Sequence, residues 1–235
     1  ALNHFSEGNW TILSANNQTL PVGFTQGGPL IIDKSGDLWA GSDGGGLLKK
    51  TGEQFSLLRE GLLTPAFDDP QAYRASGLAV DDVNNLWISN SGARSGLVVR
   101  NPDGISKAFT IPFIYSGYAV AQIIIDDINQ KWIVSPNDNG LFCFNHGASV
   151  DNPTDDQWRM YKSGRGNGNL PSNHVLSLAK DQFGCIWVGT EDGIGLIQCA
   201  DKVFGVESCE AILPVVQTDQ FAGYLFKGEM VQAIA

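Results

Sequence analysis

The residues that could do chemistry are few and scattered. His4, His146 and His174 are the three histidines of the chain, and none falls at the short spacings of a zinc site. Acidic pairs stand at Asp68-Asp69, Asp126-Asp127 and Asp155-Asp156, where calcium could collect, yet no glycine-punctuated loop of the EF-hand kind surrounds them. Asp43-Gly44-Gly45-Gly46 follows an extended segment, as a phosphate cradle would. It leads into another extended segment, however, and lacks the Gly-Lys-Ser/Thr ending. Arg59, Arg74, Arg94, Arg100, Arg159 and Arg165 could clamp a carboxylate, but no motif groups them, and no serine or cysteine nucleophile motif occurs. The expectation is no catalytic residue, no metal and no cofactor. Of the four cysteines, Cys199 and Cys209 bracket a polar, glycine-containing segment, 200–208, across which a disulfide is geometrically reasonable and suits an oxidising compartment. Two unpaired thiols are the alternative there. Cys143 and Cys185 lie in the apolar runs LFCFN and GCIWVG and read as small core residues.

What the sequence does contain is a repeat. The segments IIDKSGDLWAGS (31–42), AVDDVNNLWISN (79–90), IIDDINQKWIVS (124–135) and AKDQFGCIWVGT (179–190) align without gaps. Each has an aspartate at its third position (Asp33, Asp81, Asp126, Asp181) and a tryptophan six residues later (Trp39, Trp87, Trp132, Trp187). Between them stands Gly36, Asn84, Asn129 or Gly184, residue types that tolerate the left-handed backbone of a tight turn. The aspartate can accept backbone N–H groups two residues on, and the tryptophan opens the next strand and packs between neighbours. A Gly-Leu pair then leads into a third strand at Gly46-Leu47, Gly96-Leu97, Gly140-Leu141 and Gly195-Leu196. Successive tryptophans are 48, 45 and 55 residues apart, the length of one four-stranded blade. Trp10 and Trp158 each precede a repeat tryptophan by 29 residues and fit outer strands.

These elements predict an all-β fold, a β-propeller with four complete four-stranded blades at about 22–58, 75–112, 118–161 and 172–216. Partial blades are expected at 1–14 and 221–235, so that the chain reads as part of a longer one and self-association through the incomplete blades is open to it. Apolar residues make up 43% and charged residues 17%, ample for a core and unlike a disordered chain. The formal charge of −10, with no basic stripe, argues against a nucleic-acid partner. No apolar stretch is long enough to span a bilayer and no signal-peptide pattern opens the chain, as expected of a mature or trimmed segment.

The stretch LPSNHVLSLAKDQFGCIWVGTEDGIGLI (170–197) closely resembles the two-component regulator propeller repeat, and the other three repeats match it at fewer positions. The tail EAILPVVQTDQFAGYLFKGEMVQAIA looks like an inter-blade segment of PorZ-like surface propellers of Bacteroidetes-type bacteria, which accompany type IX secretion. The first resemblance implies the periplasmic sensor of a hybrid histidine kinase, the second a cell-surface secretion component. Both imply a non-catalytic module in the periplasm or on the outer-membrane surface that binds a protein or glycan partner at a propeller face. The insertions 61–74, with Phe67 and Tyr73, and 146–169, with Trp158 and the run GRGNGN, are candidate binding loops. The repeat also resembles the Asp-box turn of sialidases, where the aspartate is structural; a propeller enzyme acting on a carbohydrate or lactone is the alternative function.

Overall fold

The computed structural model describes residues 2–17, 19–206, 209–217 and 222–234. It is all-β, with antiparallel sheets and two single 3₁₀ turns, and it divides into two units, 1–111 and 112–235.

In the first unit a hairpin of β1 (Leu2–Ser6) and β2 (Asn9–Leu13) precedes two sheets of four strands. The first comprises β3 (Gly27–Ile32), β4 (Leu38–Gly44), β5 (Leu47–Thr51) and β6 (Gln54–Leu58). The second comprises β7 (Tyr73–Val80), β8 (Leu86–Asn90), β9 (Leu97–Arg100) and β10 (Ser106–Phe109). They join where Asp43 and Gly44 of β4 pair with Arg74 and Tyr73 of β7. Trp39, Leu47, Leu78, Ile88 and Val98 fill the core between them.

The second unit repeats the plan. A four-stranded sheet runs β11 (Ile123–Ile125), β12 (Lys131–Ser135), β13 (Gly140–Asn145), β14 (Gln157–Tyr161). A three-stranded sheet follows: β15 (Val175–Lys180), β16 (Ile186–Thr190), β17 (Gly193–Ile197). Trp132, Val134, Leu141, Leu178 and Val188 belong to one core shared by the two sheets. The side chain of Gln122 stitches the inner strands, accepting from the Leu178 N–H and donating to its carbonyl, both at 2.8 Å. A short hairpin, β18 (Val215–Gln217) with β19 (Ala222–Tyr224), comes last.

Two expectations need correction. The last sheet has no full fourth strand among the described residues; its outer edge meets only Ile212, bridged to Leu196. The closed Cys199–Cys209 loop and Pro214 leave too short an extended run between them for more. The glycine that opens the third strand of this sheet is Gly193, not Gly195. Trp187 pairs with Leu196 as Trp132 pairs with Cys143, so Gly195-Leu196 lies two residues deeper in β17. The turn here is shorter, with only Glu191 and Asp192 between Thr190 and Gly193, and the Thr190 hydroxyl closes it onto the Gly193 carbonyl at 2.9 Å. Ala1, Phe221 and Ala235 of the expected end segments lie outside the described residues, as do Glu207 and Ser208 of the fourth expected blade.

Candidate functional site

The four aspartate–tryptophan pairs form one turn built four times. Oδ1 of Asp33, Asp81, Asp126 and Asp181 accepts the N–H two residues on and the N–H four residues on, all within 2.8–3.1 Å. Oδ2 accepts the indole Nε1–H of Trp39, Trp87, Trp132 or Trp187 at 2.8–2.9 Å. Gly36, Asn84, Asn129 and Gly184 all sit at positive φ, as the turn requires. The indole bond is the part that sequence reasoning missed. A tryptophan can be fully buried only if its one donor finds an acceptor, and the sixth residue upstream supplies it. At Asp181 the Trp187 donor, with the Cys185 and Phe183 amides, holds the carboxyl below its usual range. These residues tie their own turns together. They also occupy one end of their sheets, the end away from the turns between second and third strands.

Cys199 and Cys209 are joined by a disulfide, with Cα atoms 5.6 Å apart. Closing so short a loop stabilises a fold by about 3 kcal/mol in the chain-entropy view. Reduction is therefore expected to lower the urea stability of the second unit by that order, whereas an unmoved midpoint would show that the bond constrains little. Cys143 is fully buried and Cys185 half-buried at its turn; burial pushes both thiols up, as suits inert packing residues.

The other end of the second unit carries a polar cavity of about 530 Å³ that lies wide open to solvent. Pro171, Ser172 and Asn173, which precede β15, line it. Asn173 Oδ1 accepts the Ser163 N–H at 2.8 Å, fixing the incoming chain. Ser172 Oγ accepts the His174 N–H at 3.0 Å and donates to Glu191 Oε1 at 2.8 Å. Glu191 and Asp192 form the β16–β17 turn. Asp192 is occupied: Lys227 pairs with it and the Gly228 N–H bonds it, and both hold its carboxyl below the usual range. Asp138 projects from the β12–β13 turn, where Asn137 and Asp138 both adopt the left-handed backbone. His174 Nδ1 lies 3.4 Å from Asp138 Oδ1 and 3.8 Å from Glu191 Oε2. Histidine spacing along the chain gave no hint of this cluster, because its three members come from three separate connections.

The other sequence candidates are placed as follows. In the first unit the insertion 61–74 is clamped by Arg74, which donates to both oxygens of Asp68 (2.7 and 3.0 Å) and reaches Asp43 at 3.2 Å. Phe67 is 85% exposed at its crest, while Tyr73 belongs to β7. Trp158 sits in β14 and stacks on Phe144 with centroids 4.2 Å apart, so it is a strand residue rather than a presented aromatic. Arg100 covers the face of Trp39 and Arg159 that of Tyr161, so these two serve packing rather than a carboxylate clamp. His146 Nδ1 lies 2.8 Å from the buried Lys131 Nζ. Asp127 pairs with Lys180, and Asp69 accepts the Gln71 N–H.

Fold and repeat together define a chain of β-propeller blades. Residues 169–192, the segment that builds both the fourth Asp–Trp turn and part of the cavity lining, match the family described as Two component regulator propeller. No curated protein sequence matches the chain. Among solved structures it is similar to PorZ, an essential bacterial surface component of the type-IX secretion system of Porphyromonas gingivalis, at 20% identity and TM-score 0.80, over 98% of this chain and 33% of that one. It is also similar to the extracellular domain of a hybrid two component system from B. thetaiotaomicron, at 16% identity and TM-score 0.63, over 97% of this chain and 34% of that one. A catalytically inactive virginiamycin B lyase from Staphylococcus aureus, solved with quinupristin, shares 14% identity at TM-score 0.55, over 77% of this chain and 55% of that one. The chain thus spans about a third of the length of the first two. No helix among the described residues is long and apolar enough to cross a membrane.

Proposed function

We propose that this chain is part of an extracytoplasmic propeller that binds a glycan at the loop end of its second unit, without catalysis of its own. The observation that carries the reading is the polar cavity itself. It lies open to solvent, and its walls offer carboxylates and Ser and Asn side chains on anchored turns, the groups that hydrogen-bond sugar hydroxyls. The likeness to PorZ, over nearly the whole chain, supports a surface, secretion-associated setting ahead of the sensor of a hybrid regulator. Ser163 lines the cavity without belonging to the histidine–carboxylate cluster, so Ser163→Trp fills the space and leaves the cluster intact. On a glycan array the natural chain is expected to select a defined group of oligosaccharides, and Ser163→Trp to weaken them at least about tenfold, as loss of a filled pocket does. Equal binding by both would place recognition elsewhere, and binding only to a protein partner would replace the glycan.

A second reading, a propeller enzyme acting on a carbohydrate or lactone, draws on the same convergence of Asp138, His174 and Glu191. Its mark would be turnover of a lactone or glycoside that is lost in His174→Ala.

A further inference from the structure

We propose that Asp138, His174 and Glu191 hold a divalent transition-metal ion of the zinc class, with an open coordination position facing the cavity. The inference goes beyond the glycan reading and stands on the geometry of the three side chains. One ligand atom from each lies within 4.8 Å of the other two, and the two edges that meet at His174 Nδ1 measure 3.4 and 3.8 Å. Zinc bonds of about 2.0–2.2 Å arranged tetrahedrally give ligand–ligand edges of about 3.4 Å. The first edge already has this length. Small rotations of the exposed carboxylates close the others.

Three further features favour an ion. Among the described residues neither Asp138 nor Glu191 pairs with a lysine or arginine, although Lys227 is close enough to pair with the adjacent Asp192. Two carboxylates are thus brought to one imidazole in an acidic protein with no fixed cation to offset them, and a divalent ion does so. The backbone beneath is already tied: the His174 carbonyl accepts the Glu191 N–H at 3.1 Å, and Asn139 fastens the Asp138 turn to the Pro136 carbonyl at 2.6 Å. Ser172 Oγ takes Glu191 Oε1, which leaves Oε2 turned to His174, the arrangement of a ligand oriented by an outer hydrogen bond. The imidazole selects zinc, nickel or copper over calcium and magnesium, which prefer all-oxygen shells. Three protein ligands leave a fourth position for water or a ligand hydroxyl.

The test titrates zinc chloride into chelator-treated protein by calorimetry and follows cobalt(II) substitution by its visible spectrum, with no glycan present. One equivalent of zinc with saturable binding is expected, together with a cobalt band in the range of four- or five-coordinate N/O sites. His174→Ala should abolish both signals. Ser172→Ala should weaken zinc about tenfold, as loss of an outer-shell partner does, while His4→Ala leaves it unchanged. Because the cluster is exposed, the urea midpoint of His174→Ala should match that of the natural chain, which separates lost binding from lost folding. Absence of saturable binding, or equal binding by His174→Ala, overturns the site; the glycan array then still judges the partner reading by itself.

Discussion

Asp126→Ala is expected to destabilise the second unit by about 3–5 kcal/mol, the range of a broken buried hydrogen-bond network. Asp126 is buried, and its carboxylate accepts four bonds: from the Ile128 N–H at 3.1 Å, the Gln130 N–H at 2.8 Å, Gln130 Nε2 at 2.8 Å and Trp132 Nε1 at 2.9 Å. Trp132 has no exposed surface, so its indole N–H has no water to turn to once the carboxylate is gone. Asp126→Asn separates the contributions. Its Oδ1 still accepts the two backbone donors, but its NH₂ faces the indole N–H, and Gln130 cannot turn its oxygen to that NH₂ without giving up its Nε2 bond to the Ala200 carbonyl at 2.7 Å. An intermediate loss, about 2–3 kcal/mol, follows from the stranded indole N–H and the one bond that Gln130 loses in either orientation. Urea unfolding read by far-UV circular dichroism measures both. A loss below 1 kcal/mol in the alanine variant would mean that the turn is held by its backbone alone.

Gly41→Ala carries the second large effect, an expected loss of about 3 kcal/mol with the seam between β4 and β7 loosened. A Cβ at Gly41 would run into the Ala75 carbonyl oxygen and stand 3.0 Å from Pro29 Cγ. The first is backbone and cannot swing away, so the inner strand of the next sheet must move. Gly189 has the corresponding place in the last sheet, where a Cβ would meet the Val231 carbonyl at 2.6 Å. The two intermediate repeats carry Ser89 and Val134 at this position, so the strand itself does not demand glycine; the close approach of a neighbour does. Gly36→Ala is the control. Nothing lies within 4 Å of its Cβ, but its φ of +85° imposes a backbone cost of about 1 kcal/mol. Equal, small losses for the two variants would mean that β7 adjusts freely.

The repeat made the architecture legible because each blade restates the same local chemistry. Aspartate, a left-handed residue and tryptophan at fixed offsets can be recognised without any tertiary information. The Val231 carbonyl approaches Gly189 much as the Ala75 carbonyl approaches Gly41. The shortened turn at Glu191-Asp192 was less visible, since one glycine looks like another two residues on, and only the pairing register separates Gly193 from Gly195. The candidate site was hidden for a different reason. Asp138, His174 and Glu191 are 36 and 17 residues apart, and only the stacking of one sheet beside the next makes the connections that carry them meet. Ser172 and Asn173 were visible as parts of a family motif, but their roles, one orienting Glu191 and the other anchoring Ser163, appear only in three dimensions.

The central claim is that recognition takes place at the loop end of the second unit and that the Asp–Trp end is scaffold. Hydrogen–deuterium exchange of the chain with and without a saturating oligosaccharide selected on the array tests it most directly. Protection confined to 136–139, 163–174 and 190–193 is the expected result. Protection at the aspartate turns 126–130 and 181–185 instead, with the loop end unchanged, would contradict it.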